Sequence, residues 1–214
     1  MKVTILSRSN EENCYKSILN NFHNNYNIAL PTGNSPLGLY KYIIAHNQLN
    51  WKLVKIFMLD VIYPQDPLDP KSYFTYIKSN LLKYINIPNN NFHILDSATK
   101  NPVYECQEYE KAITKSGGLD LAILGIGPNG HIAFNEPGTS FDSVTHMGIL
   151  TRDTVKHLKL EKITNIKGLT MGLKTLMKSK KIILLANGEV KARAIFNAVK
   201  GPITTECPAS VLRK

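Results

Sequence analysis

The chain has 214 residues, 43% hydrophobic and 20% charged, a globular composition long enough for one α/β domain with a substantial core. Its formal charge of +10 comes from lysines that are scattered, apart from Lys178-Ser179-Lys180-Lys181, with no aromatic-basic ladder, so the charge does not point to nucleic acid. No apolar run approaches the roughly 18 residues of a membrane span, Met1 to Ser7 is too short and interrupted for a secretory signal, and the widely spaced Cys14, Cys106 and Cys207 form neither a disulfide framework nor a zinc knuckle and fit a reducing cytoplasm.

Short β-branched runs alternate with longer amphipathic stretches, the pattern of βαβ units around a parallel sheet. In chain order the patterning predicts a strand at Lys2–Leu6, a helix at Asn10–Phe22, a strand at Asn27–Leu30 and a helix at Pro36–Asn47. A strand at Val54–Leu59, a helix at Lys71–Tyr84, a strand at Phe92–Leu95 and a helix at Val103–Lys115 follow. The last third reads as a strand at Leu119–Leu124, a helix at Leu169–Met177, a strand at Lys181–Ala186 and a helix at Val190–Val199. Leu121-Ala122-Ile123-Leu124 and Ile182-Ile183-Leu184-Leu185 are continuous apolar runs, as in central strands covered on both faces. With no internal repeat and no long linker, residues 1–214 are expected to form one α/β domain, a mostly parallel central sheet flanked by helices.

In open α/β sheets, ligands sit beyond the carboxyl ends of the strands. Three loops leave such ends with unusual residues. The first, Pro31-Thr32-Gly33-Asn34-Ser35, precedes a helix beginning near Pro36. Its hydroxyls and free N–H groups suit an anion, but by itself the segment reads more readily as an ordinary capped turn. The second begins at Asp60, directly after Phe57-Met58-Leu59. A carboxylate there can act as a general base or cap the following turn. The third, Gly125-Ile126-Gly127-Pro128-Asn129-Gly130-His131-Ile132-Ala133-Phe134-Asn135-Glu136-Pro137-Gly138, carries the strongest signal. Its glycines permit tight turns and close approach to a ligand, His131 is of the residue type that shuttles protons, and Glu136 is near enough in sequence to orient the imidazole. The Gly-x-Gly start is weak evidence for a dinucleotide, because neither Asp142 nor Asp153 closes a βαβ unit.

The third loop resembles the signature of the glucosamine-6-phosphate deaminase family. The resemblance runs from near the N-terminus to about Leu212 through Leu30-Pro31-Thr32-Gly33, Asp60, Pro70-Lys71-Ser72-Tyr73, Phe141-Asp142-Ser143-Val144-Thr145-His146 and Leu169-Thr170-Met171-Gly172-Leu173. It implies a Rossmann-like sheet, no metal and no organic cofactor, and a small-molecule amino sugar phosphate as partner, with no nucleic acid or membrane. The implied reaction opens the sugar ring, moves a proton from C2 to C1 and releases ammonia, giving fructose 6-phosphate. His131 matches the residue handling the ring-opening proton, Asp60 the base that moves the proton between carbons, and Glu136 the partner that tunes the histidine. Asn129 stands where members of the family carry Asp or Asn. Thr32, Gly33, Asn34, Ser35 and Lys191 match the substrate-binding positions.

The superfamily also contains 6-phosphogluconolactonases, whose segment resembles Gly-x-Asp-Gly-His-Thr-Ala-Ser-Leu-Phe-Pro. Ile132 and Asn135-Glu136-Pro137 favour the deaminase. The alternatives carried forward are a related sugar-phosphate isomerase or lactonase, and a non-catalytic sugar-phosphate-binding member. Three departures from the deaminase pattern stand out. Asp60-Val61-Ile62 replaces Asp-Glu-Tyr. Thr154-Val155-Lys156-His157-Leu158-Lys159-Leu160 lacks the phosphate arginine, leaving Lys156 or Lys159 as point charges. The family pattern also continues beyond the position of Lys214. Glucosamine against galactosamine 6-phosphate, and monomer against homo-oligomer, are left open.

Overall fold

The computed structural model describes residues 11–161 and 164–214. The predicted strand Lys2–Leu6 lies outside them. In chain order the elements are α1 (Glu11–Asn21), β1 (Tyr26–Leu30), α2 (Leu37–Ala45), β2 (Val54–Met58), β3 (Asp60–Tyr63), α3 (Tyr73–Asn80) and β4 (Phe92–His93). They continue as α4 (Pro102–Lys115), β5 (Leu121–Gly125), β6 (His146–Ile149), α5 (Arg152–His157), β7 (Lys167–Thr170), α6 (Leu173–Met177), β8 (Lys181–Leu185) and α7 (Ala192–Lys200), with 3-10 turns at Glu189–Lys191 and Pro208–Arg213.

β4, β2, β1, β5 and β8 hydrogen-bond in that order into a parallel sheet. Side chains alternate across a strand, and the sequence fills both faces with apolar groups. Ile28, Leu30, Ile56, Met58, Leu121 and Ile123 pack in a cluster with Ile18 of α1 and Leu39, Tyr40 and Ile43 of α2. Ala29, Phe57, Ala122 and Leu124 face the other cluster, with Cys106, Tyr109 and Ile113 of α4. Those three recur at helical spacing, so one stripe of α4 seals that face. The helix begins where the Asn101 side chain accepts a hydrogen bond from Tyr104 N with Pro102 in the first turn, and it ends before Gly117 and Gly118, both at positive φ.

The mostly parallel α/β sheet expected from the sequence is present, with three corrections. Ile182–Leu185 was expected in a central strand. Among the described residues, β8 pairs only with β5 and closes one end of the sheet, and its side chains are half-buried. An apolar run does not distinguish an edge strand whose two faces are partly covered from a central one. The predicted helix Leu169–Met177 divides into β7 and a shorter α6, because Leu169 and Thr170 pair with Val61 and Asp60. Finally, β3, β7 and β6 form a small antiparallel sheet that the patterning missed. Its strands are four residues each, too short to show a period.

The junction of the two sheets is tight. Leu59 N donates to Leu30 O of β1 at 3.1 Å, and Leu59 O accepts from Met171 N at 2.8 Å. The chain thus passes from the large sheet into β3 at Asp60, which lies opposite Thr170 in the register. Among the described residues, no helix is long and apolar enough to cross a membrane.

Candidate active site

The loop after β5 is folded by its own backbone. Gly127 N donates to His131 O at 2.9 Å and Gly130 N to Gly127 O at 3.0 Å. Gly130 has φ +87 and packs against Cys207 Sγ, while its carbonyl accepts from Ala209 N at 2.9 Å. The Pro208–Arg213 turn therefore clamps the loop from behind. Beyond His131 the chain doubles back through an Ile132–Asn135 bridge with Ala133 at φ 51. The fully buried Asn135 donates from Nδ2 to Ile132 O at 2.9 Å and Met171 O at 2.8 Å. Phe134 N donates to Thr170 Oγ1 at 3.1 Å, and the Phe134 ring fills the space a side chain at Gly168 would need. The fold thereby returns Glu136 to His131.

His131 Nδ1 lies 3.5 Å from Glu136 Oε2 and 3.3 Å from Thr154 Oγ1. The same carboxylate oxygen accepts from Asn129 Nδ2 at 2.8 Å and from Thr151 Oγ1 at 3.2 Å. Asn129 turns its other end to the backbone, its Oδ1 accepting from His131 N at 3.1 Å. Burial pushes the Glu136 carboxyl up. The hydrogen bond and charge of His131, then Thr154 and Asn129, outweigh it and hold the group at about 2. Glu136 is thus an anion throughout the neutral range, buried against one face of a half-buried imidazole. His131 lines a cleft together with Pro128, Asn129, Asp153, Thr154 and His157.

Asp60 stands differently. Its carboxyl is buried at the start of β3, and burial alone raises it to about 7. Tyr109 lies behind it, with its hydroxyl 2.8 Å from Met58 O and 3.1 Å from His93 O. Tyr73, stacked on Phe134 with ring centroids 5.9 Å apart, is raised by burial and by the Asp60 charge, while a hydrogen bond to Thr32 works the other way. Tyr73 therefore ties three loops together. Asp60 was expected to open a loop. It opens a strand instead, which fixes its backbone through the Thr170 pairing.

Among the expected site residues, Asn129, His131 and Glu136 form one hydrogen-bonded and electrostatic cluster. Asp60 and Thr32 act on Tyr73, which stacks on Phe134 of the His131 loop. Gly33 has φ +87, and its carbonyl accepts from the Tyr76 hydroxyl. Gly33 and Asn34 are exposed and Ser35 half-buried, with α2 starting at Leu37. Lys191 is half-buried, its ammonium lowered by burial, and it forms no ion pair among the described residues. No three His, Cys, Asp or Glu side chains cluster as metal ligands among the described residues.

The sequence reading missed Thr151, Thr154 and Tyr73. Thr151 is the N-cap of α5, accepting from Thr154 N at 3.3 Å, a role that Thr followed by Arg152-Asp153-Thr154 signals.

The sequence pattern of the glucosamine-6-phosphate isomerase and 6-phosphogluconolactonase family matches residues 7–214. The chain belongs to this family. A glucosamine-6-phosphate deaminase of Clostridium acetobutylicum is 46% identical over 195 residues, spanning 87% of this chain and 80% of the relative. One from Clostridium botulinum is 42% identical over 193 residues, 87% of this chain and 79% of its own length. Among solved structures, a monomeric glucosamine-6-phosphate deaminase superposes with a TM-score of 0.83 at 33% identity, covering 88% of this chain and 81% of that one. A 6-phosphogluconolactonase from Thermotoga maritima shares the family fold, with a TM-score of 0.76 at 22% identity over 96% and 91% of the two chains.

Proposed function

We propose that the chain, acting as a single domain in the cytoplasm, converts glucosamine 6-phosphate and water to fructose 6-phosphate and ammonia. The observation that carries this reading is the pairing of two carboxyls with opposite environments. Glu136 is held ionised beside His131, whereas Asp60 is raised to about 7 by burial. Two carboxyls pushed apart in this way suit different proton-transfer tasks. The similarity to proteins named glucosamine-6-phosphate deaminase, at 42–46% identity over most of the chain, supports the reading.

In the first step His131 takes the C1 hydroxyl proton and returns a proton to the ring oxygen as the C1–O5 bond breaks, leaving an open-chain aldehyde. Ionised Glu136 stabilises the imidazolium formed on the way, and Asn129, Thr151 and Thr154 fix the orientation of the pair. The 3.5 Å separation of His131 and Glu136 shortens as positive charge develops. In the second step Asp60 removes the C2 proton, and the C–H electrons form a C1–C2 double bond as the C1 oxygen takes a proton from the substrate's own ammonium group. Asp60 then delivers its proton to C1, giving an imine at C2. Water adds to that carbon and ammonia leaves, so atoms and charge balance without an external oxidant. Thr32, Gly33, Asn34, Ser35 and Lys191 hold the phosphorylated end. The free thiols of Cys14, Cys106 and Cys207 agree with a reducing compartment.

Glucosamine 6-phosphate is therefore expected to yield fructose 6-phosphate, detected by a coupled isomerase–dehydrogenase assay. Failure with this sugar alongside hydrolysis of 6-phosphogluconolactone would reject the deaminase reading in favour of the lactonase.

A further inference from the structure

We infer that His157 is a phosphate-binding residue of this chain, meeting the anionic end of the sugar together with Lys191 at the mouth of the His131 cleft. The inference deepens the reaction proposed above and rests on it for the identity of the sugar. It starts from the geometry of α5. Thr154 and His157 are three positions apart and share a face of the helix, and that face lines the cleft with Pro128, Asn129 and His131. Thr154 Oγ1 is 3.3 Å from His131 Nδ1, so His157 stands about one helical turn from the histidine that faces the ring oxygen. In the substrate, only C5, C6 and O6 separate the ring oxygen from phosphorus, a span of the same order.

The other cations of this segment are placed elsewhere. Lys156 lies two positions from Thr154, on another face of α5; His157 is exposed as Lys156 is, but it lines the cleft. Lys159 is exposed beyond the helix end at φ 57, and neither lysine lines the cleft. Burial first, then the charges of Lys191 and His131, lower the His157 imidazole below its ordinary value, which places Lys191 within electrostatic reach of it. Glu136 lies 3.5 Å from His131 Nδ1, and Asp153 is the carboxylate on the cleft rim. A bound phosphate dianion then needs more than Lys191 alone. An imidazole N–H on the cleft wall supplies a donor, and the dianion favours its protonated form.

The test measures inorganic phosphate binding by calorimetry, and KM and kcat for glucosamine 6-phosphate, in wild type, His157→Ala and His157→Arg. His157→Ala is expected to weaken phosphate about tenfold or more and to raise KM comparably, with kcat within about twofold. His157→Arg, which offers a fixed bidentate donor, is expected to restore both. Equal phosphate affinity in wild type and His157→Ala, no measurable binding to wild type, or a loss confined to kcat overturns the proposal. Because phosphate binding is read without turnover, a wild type that binds phosphate through His157 yet does not consume glucosamine 6-phosphate refutes the reaction and retains the contact.

Discussion

Gly127 and His131 face each other across one turn: Gly127 N donates to His131 O at 2.9 Å, and a methyl group at position 127 would sit 2.2 Å from His131 Cε1. The glycine is needed for space, because the imidazole occupies the volume a side chain would take. Gly127→Ala is therefore expected to push the ring away from Glu136 and Thr154. Turnover should fall on the order of 100-fold, since small displacements of a catalytic group are this costly, while circular dichroism at low temperature stays native. Wild-type kcat in this variant would mean that the ring position is not critical.

Glu136→Gln keeps the size of the side chain but removes the charge that supports an imidazolium. A loss of roughly 10²-fold or more in kcat is expected, with a smaller change in KM. The acid limb of wild-type stability also follows from this group. Its folded pKa of about 2 lies below the ordinary value of 4.5, so its stabilising contribution is present above about 4.5 and is lost as pH falls towards 2. The Gln variant should lose that part of the pH dependence in denaturant titrations. An unchanged acid limb would contradict the assigned environment.

Asp60 has the opposite sign. Its folded pKa of about 7 is above the ordinary value of 3.8, so the base form grows as pH rises through 7, and kcat should rise with it. Stability runs the other way. The contribution of this carboxyl is complete below about 4, declines as pH rises and is gone above about 7. Asp60→Asn should thus abolish exchange of the C2 proton with solvent. It should also gain stability relative to wild type between pH 4 and 7, with a constant difference above. Persistence of C2 exchange at the wild-type rate would remove Asp60 from the proton transfer.

Lys191 carries the remaining charge for the phosphate. Lys191→Ala is expected to raise KM for the phosphorylated sugar about tenfold or more and to leave any turnover of unphosphorylated glucosamine unaltered. Equal losses on the two sugars would show that the residue is structural.

The core of the fold was legible because Leu121–Leu124 is an unbroken apolar run and Val103–Lys115 is an amphipathic stretch before it. The small antiparallel sheet was not, because β3, β6 and β7 are defined by partners distant in sequence. Thr170 illustrates this: it pairs with both Asp60 and His146 and accepts from Phe134 N, none of which its own neighbours reveal. Within the site, Asn129, His131 and Glu136 fall in one loop and could be read together. Thr151, Thr154 and Tyr73 come from α5 and α3 and become visible only when the chain folds. The same holds for His157, which the linear sequence places beside Lys156 and Lys159 but the helix turns alone of the three into the cleft.

The central claim is deamination at a site built around His131. Purified chain should release ammonia and fructose 6-phosphate from glucosamine 6-phosphate in equal amounts, and His131→Asn should slow both together by roughly 10²–10⁴-fold with the fold intact. Ammonia at the uncatalysed rate with wild-type protein, or equal rates for wild type and His131→Asn, would contradict the account.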